Sequence, residues 1–144
     1  MAWAGRPHFG YLMYKIVKES FGFQLTFGDT ISPDEMRQWR MESVRALVGA
    51  PEYFGVIFDM RTLRLNDLEP EAQEMIVEGR ELYKRSGMRR SCIILDSAPL
   101  IAKYKRRARQ TRDRFFERYI NAAEDRFWRT KALGWIEEDI DPDQ

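Results

Sequence analysis

The sequence predicts an α/β fold: a single mixed sheet of about five strands with four helices packed on it, in the order β-β-α-β-α-β-α-β-α. After an initial hairpin, predicted strands alternate with predicted helices, which is typical of a mixed sheet. A hydrophobic content of 44% over 144 residues is ample for one packed core. The sequence contains no internal repeat and no linker long enough to divide it, so one domain is expected.

The first two strands are expected at residues 14–19 and 23–27, separated by the tight connection 20–22. Both segments are short and rich in β-forming residues. In the second segment, large apolar side chains alternate with polar ones. That period of two predicts that one face of the strand is buried and that the other is wetter.

The first helix is predicted to begin in the segment Ser32-Pro33-Asp34-Glu35. Ser32 suits the cap position, Pro33 suits the first turn, and Glu35 is placed to complete a capping box. Apolar residues then recur at helical spacing as far as residues 49–51, where the sequence Gly-Ala-Pro ends the helix.

Two brief apolar runs, at 55–59 and 91–96, have the pattern of parallel strands that are buried on both faces. Each run closes with an aspartate, Asp59 in the first and Asp96 in the second. A second helix, opened by Pro70, is expected between them. The two strands are therefore expected to lie parallel and close together in the sheet.

The third helix is expected to run from the segment 97–99 to about Arg114. Its apolar stripe is narrow, and we expect Thr111 and Phe115 to belong to it. A short strand at 116–120 follows. Most of the remaining surface of this helix is basic, as described below.

The last helix is predicted to open with a capping box at 121–124. Its large apolar side chains exceed what one stripe can bury, so part of this surface is expected to be exposed; the residues are Phe127, Trp128, Leu133, Trp135 and Ile136. The chain is thus interpreted as an N-terminal extension (1–13), one domain (14–136) and an acidic tail (137–144) that is expected to be frayed.

Composition favours a cytoplasmic protein. The single cysteine, Cys92, excludes an internal disulfide framework and suits a reducing compartment. No apolar run approaches the length needed to span a bilayer. Residues 1–13 lack the continuous apolar core of a signal peptide.

The sequence carries no recognisable catalytic machinery. His8 is the only histidine, and a lone histidine seldom acts without an orienting partner. Cys92 lies within an apolar strand, where we expect it to be buried and unreactive. Gly-rich phosphate loops, nucleophile elbows and metal-ligand spacings are absent from the sequence. We therefore expect a non-enzymatic protein without a cofactor or a metal site.

Polar residues follow the two central strands and could converge in a crevice. In open α/β sheets, ligands bind beyond the carboxyl ends of the strands. The candidates for this ligand crevice are Asp59, Arg61, Thr62, Asp96 and Ser97. The alternative is that each is only a strand-end or helix-capping residue, for which Asp and Ser are favoured in any case.

The distribution of charge departs most from an average surface. Residues 84–114 contain eleven Lys and Arg against two Asp, so this segment carries about +9 and the rest of the chain about −8. The candidates for an exposed basic surface are Lys103, Arg106, Arg107 and Arg114. Such a surface suits nucleic acid, an anionic membrane or an acidic protein. Alternatively, the acidic stretches 67–81 and 137–143 pair with it, in another copy or in the same chain.

Several segments resemble the STAS and SpoIIAA-like domains. The strand 23–27, the turn Gly28-Asp29-Thr30-Ile31 and the helix start at 32–35 look like the opening of that family. The segment Ala132-Leu133-Gly134-Trp135-Ile136 is similar to its closing A-L-x-W-[IL] pattern. The order of elements matches the family from about Tyr14 to Ile136.

The resemblance implies a small regulatory or ligand-binding module. In the anti-sigma-factor antagonists of the family, a phosphorylated serine follows the central strand in a D-S-[SAT]-G motif. The matching stretch here keeps Asp59 but has Met60, Arg61 and Thr62 after it, so no such switch is expected. The SpoIIAA-like branch, which lacks the switch and is similar in fold to lipid carriers, is the better match.

Two functions are therefore expected. The first is a regulatory or ligand-binding module that acts by contact with another protein or a second copy, or by binding a small apolar or anionic ligand. The alternative is a binder of nucleic acid or anionic membrane through the basic third helix. The basic run favours the second, and the near-zero net charge and the acidic tail count against it. A third and least favoured alternative is an enzyme that uses the crevice at Asp59 and Asp96.

Overall fold

The computed structural model of the protein describes residues 13–144. Its strands are β1 (Tyr14–Glu19), β2 (Gly22–Phe27), β3 (Phe54–Asp59), β4 (Met88–Leu95) and β5 (Glu117–Asn121). Its helices are α1 (Pro33–Val48), α2 (Pro70–Arg85), α3 (Ala98–Arg109) and α4 (Trp128–Glu138), and short 3₁₀ turns cover Leu65–Asp67 and Arg112–Phe115. This order of elements confirms the predicted α/β fold class.

Within these residues the strands form one sheet in the order β1-β2-β3-β4-β5. β1 and β2 pair antiparallel, and every later pair is parallel. At the hairpin, Gly22 has a φ of +145°, and a Cβ added to it would collide with the carbonyl oxygen of Gly55 on β3. The close approach of β2 to β3 therefore requires glycine at this position.

The capping box predicted for α1 is present. The Ser32 hydroxyl accepts a hydrogen bond from the backbone N–H of Glu35 at 3.1 Å. In return, the Glu35 carboxylate accepts one from the backbone N–H of Ser32 at 3.0 Å. Two N–H groups that have no partner inside the helix are thereby satisfied, which explains why the helix begins here.

The sheet carries helices on both faces. α1, α2 and α3 cover one face, where a core of aromatic side chains includes Phe23, Trp39 and Tyr83. α4 covers the other face, and its Trp135 packs there close to Cys92 of β4. Because the central strands are covered on both sides, β3 is buried along its whole length, as predicted.

A buried ion pair joins α2 to β5. The Glu117 side chain is 1% exposed, and its carboxylate accepts hydrogen bonds from Arg80, from the Ser91 hydroxyl and from the Tyr119 hydroxyl. Arg80 also lies 3.7 Å from a carboxylate oxygen of Asp113. The charge of Glu117 is thus compensated within the fold, as burial of a carboxylate requires.

The third helix is shorter than predicted. α3 ends at Arg109 rather than near Arg114. The Thr111 hydroxyl accepts a hydrogen bond from the backbone N–H of Asp113 at 3.1 Å and begins a 3₁₀ turn. A threonine that bonds the backbone in this way competes with continuation of the helix. Thr111 and Phe115, which were expected on the apolar stripe, are consequently exposed.

The predicted start of the last helix is also wrong. Asn121 is the last residue of β5, and its side-chain oxygen accepts a hydrogen bond from the backbone N–H of Ala123 at 3.0 Å. Asparagine is favoured in turns of this kind as well as at helix caps. α4 begins only at Trp128, and Phe127 before it is 57% exposed.

The acidic tail is not frayed as expected. Asp139 adopts the left-handed conformation with φ of 59° and ends α4. The backbone N–H of Ile140 then donates to the carbonyl of Gly134 at 3.0 Å, which turns the chain back. Asp141 and Asp143 form ion pairs with Arg118 and Lys105, and these attach the segment to the domain.

Candidate functional site

Asp59 and Arg61 form the centre of the predicted crevice at the carboxyl ends of β3 and β4. Asp59 is the last residue of β3 and is 5% exposed. Both oxygens of its carboxylate accept hydrogen bonds from the Arg61 guanidinium, at 2.9 and 2.8 Å. The positive charge of Arg61 therefore compensates the buried negative charge of Asp59 through two hydrogen bonds.

Trp128 and Asp96 complete the surroundings of Arg61. The guanidinium lies 4.6 Å from the centre of the Trp128 ring, so a cation–π contact holds it from the side of α4. Hydrogen bonding to Asp59 raises the pKa of Arg61, and the nearby negative charge of Asp96 adds to this effect. The structure therefore brings Asp59, Arg61 and Asp96 together, as the sequence predicted.

The two hydroxyls predicted for this crevice serve the fold. The Thr62 hydroxyl donates to the carbonyl oxygen of Phe27 on β2 at 2.9 Å. The Ser97 hydroxyl caps α3 by accepting from the backbone N–H of Leu100 at 3.3 Å. Each therefore has a structural partner, which is the alternative that the sequence left open for them.

The second candidate site lies on α3 and the 3₁₀ turn after it. Ile101, Tyr104 and Ala108 face the core and are buried. The other positions carry six exposed Lys and Arg that we call the cationic surface: Lys103, Arg106, Arg107, Arg109, Arg112 and Arg114. Among the residues that the structure describes, no Asp or Glu forms an ion pair with any of these six. All four predicted basic-surface residues belong to this set.

The cationic surface is not needed to form the helix. Like charges four residues apart, as in Lys103 and Arg107, each cost an isolated helix about 0.2–0.5 kcal/mol. Interaction of the last-turn cations with the helix dipole offsets part of that cost. Helix stability therefore does not account for these six cations, which have no ion-pair partner within residues 13–144.

Aromatic rings are interspersed with the cations. Phe115 is 62% exposed, and the Arg114 guanidinium lies 4.3 Å from its ring centre. The Arg107 guanidinium lies 4.9 Å from the ring of Tyr104, which stacks parallel to Tyr119 with centroids 5.8 Å apart. These contacts orient the guanidinium groups and add an exposed apolar element to the surface.

Two basic residues beside the cationic surface, Arg118 and Lys105, are paired with the acidic tail. Arg118 donates to both carboxylate oxygens of Asp141, at 3.0 and 3.1 Å, and Lys105 donates to Asp143 at 3.1 Å. Between them lies a cavity of about 250 Å³ that Arg109 also lines. The acidic tail thus pairs with basic residues of the same chain, one of the alternatives that the sequence left open.

Acidic residues of α2 form ion pairs with α1 and not with the cationic surface. Glu71 and Glu78 form ion pairs with Arg37 and Arg40 of α1. This second acidic stretch therefore compensates α1 and leaves the cations on the outside of α3 unpaired.

Sequence reasoning missed Phe115, Arg118 and Asp141 as parts of this site. Phe115 was assigned to the core because the helix was expected to reach Arg114. The pairing of Arg118 with Asp141 joins residues that are 23 positions apart, so no local pattern reveals it. The acidic composition of residues 137–144 was the only feature of the sequence that could have predicted this pairing.

Cys92 is fully buried, as expected, and burial raises the pKa of its thiol. His8 lies outside the described residues. None of the helices within residues 13–144 combines the length and the apolar character that crossing a membrane requires.

Comparison with known proteins identifies the fold. The sequence matches no family model and no curated protein. The structure is similar to that of an uncharacterised DUF3478-family protein with a SpoIIAA-like fold from Shewanella loihica PV-4. The TM-score is 0.61 at 16% identity, over 85% of this chain and 91% of that one. The chain therefore has a SpoIIAA-like fold, as the sequence resemblance implied.

Proposed function

We propose that the protein is a non-enzymatic binding module that docks an acidic protein through the cationic surface of α3. The observation that supports it most is the contrast in compensation: Arg61 and Arg80 hold carboxylates of the same domain, whereas the cationic surface holds none. A SpoIIAA-like fold is compatible with a regulatory or binding role, although fold by itself assigns no function.

The mixture of side chains favours a protein partner over nucleic acid or a membrane. Arginine and aromatic residues are the types enriched at protein interfaces, and Phe115 beside Arg114 supplies both. A binder of polyanions gains from a strong overall positive field, but this chain has a net charge of +1. Nucleic acid and anionic membrane thus become alternatives for the same surface.

The dimensions of α3 suit a short extended segment of the partner. Its 12 residues span about 18 Å at 1.5 Å per residue. An extended peptide rises about 3.3 Å per residue, so about five or six of its residues lie along the helix. Because successive side chains of an extended segment point to opposite sides, about three of them face the helix and can meet its exposed cations.

The decisive variant is Arg106→Glu/Arg107→Glu. Fluorescence anisotropy of a labelled polyglutamate peptide is expected to show binding that weakens as salt is raised. The double reversal is expected to reduce affinity at least about tenfold, because two attractive contacts become repulsive. Stability should change by no more than about 0.5 kcal/mol for each exposed position.

Arg45→Glu/Arg85→Glu is the matched control, because it changes the net charge equally at exposed positions on α1 and α2. Equal losses in both variants would mean that only net charge matters and would contradict the proposal. Duplex DNA and vesicles containing anionic lipid are competing probes at an ionic strength of about 0.15 M. Tighter binding to either of them than to the peptide would favour the alternative, and binding to none of the three would refute docking by charge.

A further inference from the structure

The acidic tail places two aspartates against basic residues that lie beside the cationic surface. Asp141 and Asp143 are separated by one residue, and the backbone N–H of Asp143 donates to the Asp141 carboxylate at 2.9 Å. This local bond directs the two side chains toward different basic residues, Arg118 and Lys105. The segment therefore presents a preformed Asp-x-Asp unit to the flank of α3.

Two of the basic residues at this contact have no ion-pair partner within residues 13–144. The charged residues that line the cavity at the contact are four basic residues, the two aspartates and Glu117, which is already paired with Arg80: Lys105, Arg109, Arg114, Arg118, Asp141, Asp143 and Glu117. Arg109 and Arg114 form no ion pair within residues 13–144. A longer or more acidic segment would therefore find additional cations in the same place.

The contact is weak enough to open. The Lys105 and Asp143 side chains are 37% and 43% exposed, and ion pairs in water contribute little. The Arg118–Asp141 pair is less exposed, at 18% and 23%, and has fork geometry, so it is the main attachment. A third ion pair joins Asp139 to Arg90 at 2.9 Å, and its aspartate is 70% exposed. One partly buried attachment beside two more exposed ones is suited to exchange with a competing acidic segment.

We infer that the segment Asp139–Asp143 is a displaceable internal competitor, and that the partner binds through an Asp-x-Asp type of acidic peptide that takes its place. The inference rests on the proposed function, because it names the partner chemistry of the same surface. A docked segment lowers the apparent affinity for the partner by the fraction of time that it leaves the flank open. Release of the segment increases affinity by the same factor.

Asp141→Asn/Asp143→Asn tests the inference by titration with the labelled polyglutamate peptide. The variant is expected to bind about threefold to tenfold more tightly than the wild type, as removal of a mostly docked competitor requires. Asp143→Asn has an intermediate effect and disturbs only the exposed Lys105 contact, so it remains informative if the double variant is unstable.

Asp34→Asn/Glu71→Gln is the control, because it removes the same charge from the partners of Arg37 on α1. An increase of affinity equal in both double variants, or a decrease in Asp141→Asn/Asp143→Asn, would overturn the inference. Wild-type binding with unchanged affinity in the variant would overturn the inference and leave the proposed function intact. Absence of binding in the wild type and in every variant would refute the proposed function itself.

Discussion

Arginines in two regions of this small domain have opposite surroundings. Arg61 and Arg80 each hold a carboxylate that is almost fully buried, Asp59 in one case and Glu117 in the other. Arg106 on α3 is exposed and forms no ion pair within residues 13–144. Arginines therefore have two kinds of surroundings here: some compensate buried carboxylates of the domain, and others are exposed without an ion-pair partner within residues 13–144.

The largest effect is expected for Arg80→Met, on the compensated side of this comparison. It leaves the Glu117 carboxylate buried without its cation, which costs about 3–5 kcal/mol of unfolding free energy. Urea denaturation followed by circular dichroism measures the loss. Arg85→Met, at an exposed position of the same helix, is expected to cost no more than about 0.5 kcal/mol. A cost below about 1 kcal/mol for Arg80→Met would show that the buried pair is not a structural requirement.

Arg61→Met is expected to have a smaller effect of the same kind. The Arg61 side chain is 39% exposed, so water replaces part of what Asp59 loses, and the cost is about 1–3 kcal/mol. Binding of the polyglutamate peptide should stay within about twofold of wild type, because this arginine is already engaged. If its affinity falls as far as in Arg106→Glu/Arg107→Glu, the crevice takes part in binding and the comparison fails.

The fold could be predicted wherever the pattern of single residues agrees with the order of the surrounding strands and helices. The alternation in β2, the capping box at Ser32 and the fully apolar β3 each mark their element, and together they predict the sheet and its helices. The end of α3 and the start of α4 were predicted wrongly because the residues there suit two different local structures. Asn121 suits a turn as well as a helix cap, and Thr111 stops the helix through a bond to the backbone.

The site was only partly predictable. The basic run identified Lys103, Arg106, Arg107 and Arg114, because a charge excess is visible in composition. Which cations are compensated depends on tertiary contacts such as that of Arg118 with Asp141, and these do not follow from local sequence. Asp59, Arg61 and Asp96 lie together as expected, but the other two predicted residues bond the backbone. The bidentate pairing of Asp59 with Arg61 follows only from the structure.

The smallest effect is expected for the pH dependence of stability that Asp141 in the acidic tail contributes. Hydrogen bonding to Arg118 holds the pKa of Asp141 below its ordinary value. Because the folded-state pKa is the lower one, the contact contributes stability above the ordinary carboxyl pKa. That contribution is lost as pH falls from this value through the lowered one. NMR titration of the Asp141 carboxyl carbon should show the lowered pKa, and Arg118→Met should return it toward its ordinary value.

Asp125 is the internal control for this titration. Its pKa is also lowered, chiefly by a hydrogen bond from Lys131, and Arg118→Met should leave it unchanged. An Asp141 pKa at its ordinary value in the wild type would contradict a docked tail. An equal rise for both aspartates would indicate a general loss of structure.

The central claim is that the uncompensated surface, and not the compensated crevice, receives the partner. The most direct measurement is a two-dimensional NMR titration of the labelled protein with the polyglutamate peptide, which reports every backbone amide separately. If the cationic surface receives the peptide, saturable shifts are expected at residues 103–118 and at the tail segment 139–143 that the peptide displaces. Shifts concentrated instead at Asp59–Thr62 and at Asp96 and Ser97, with residues 103–118 unmoved, would contradict it.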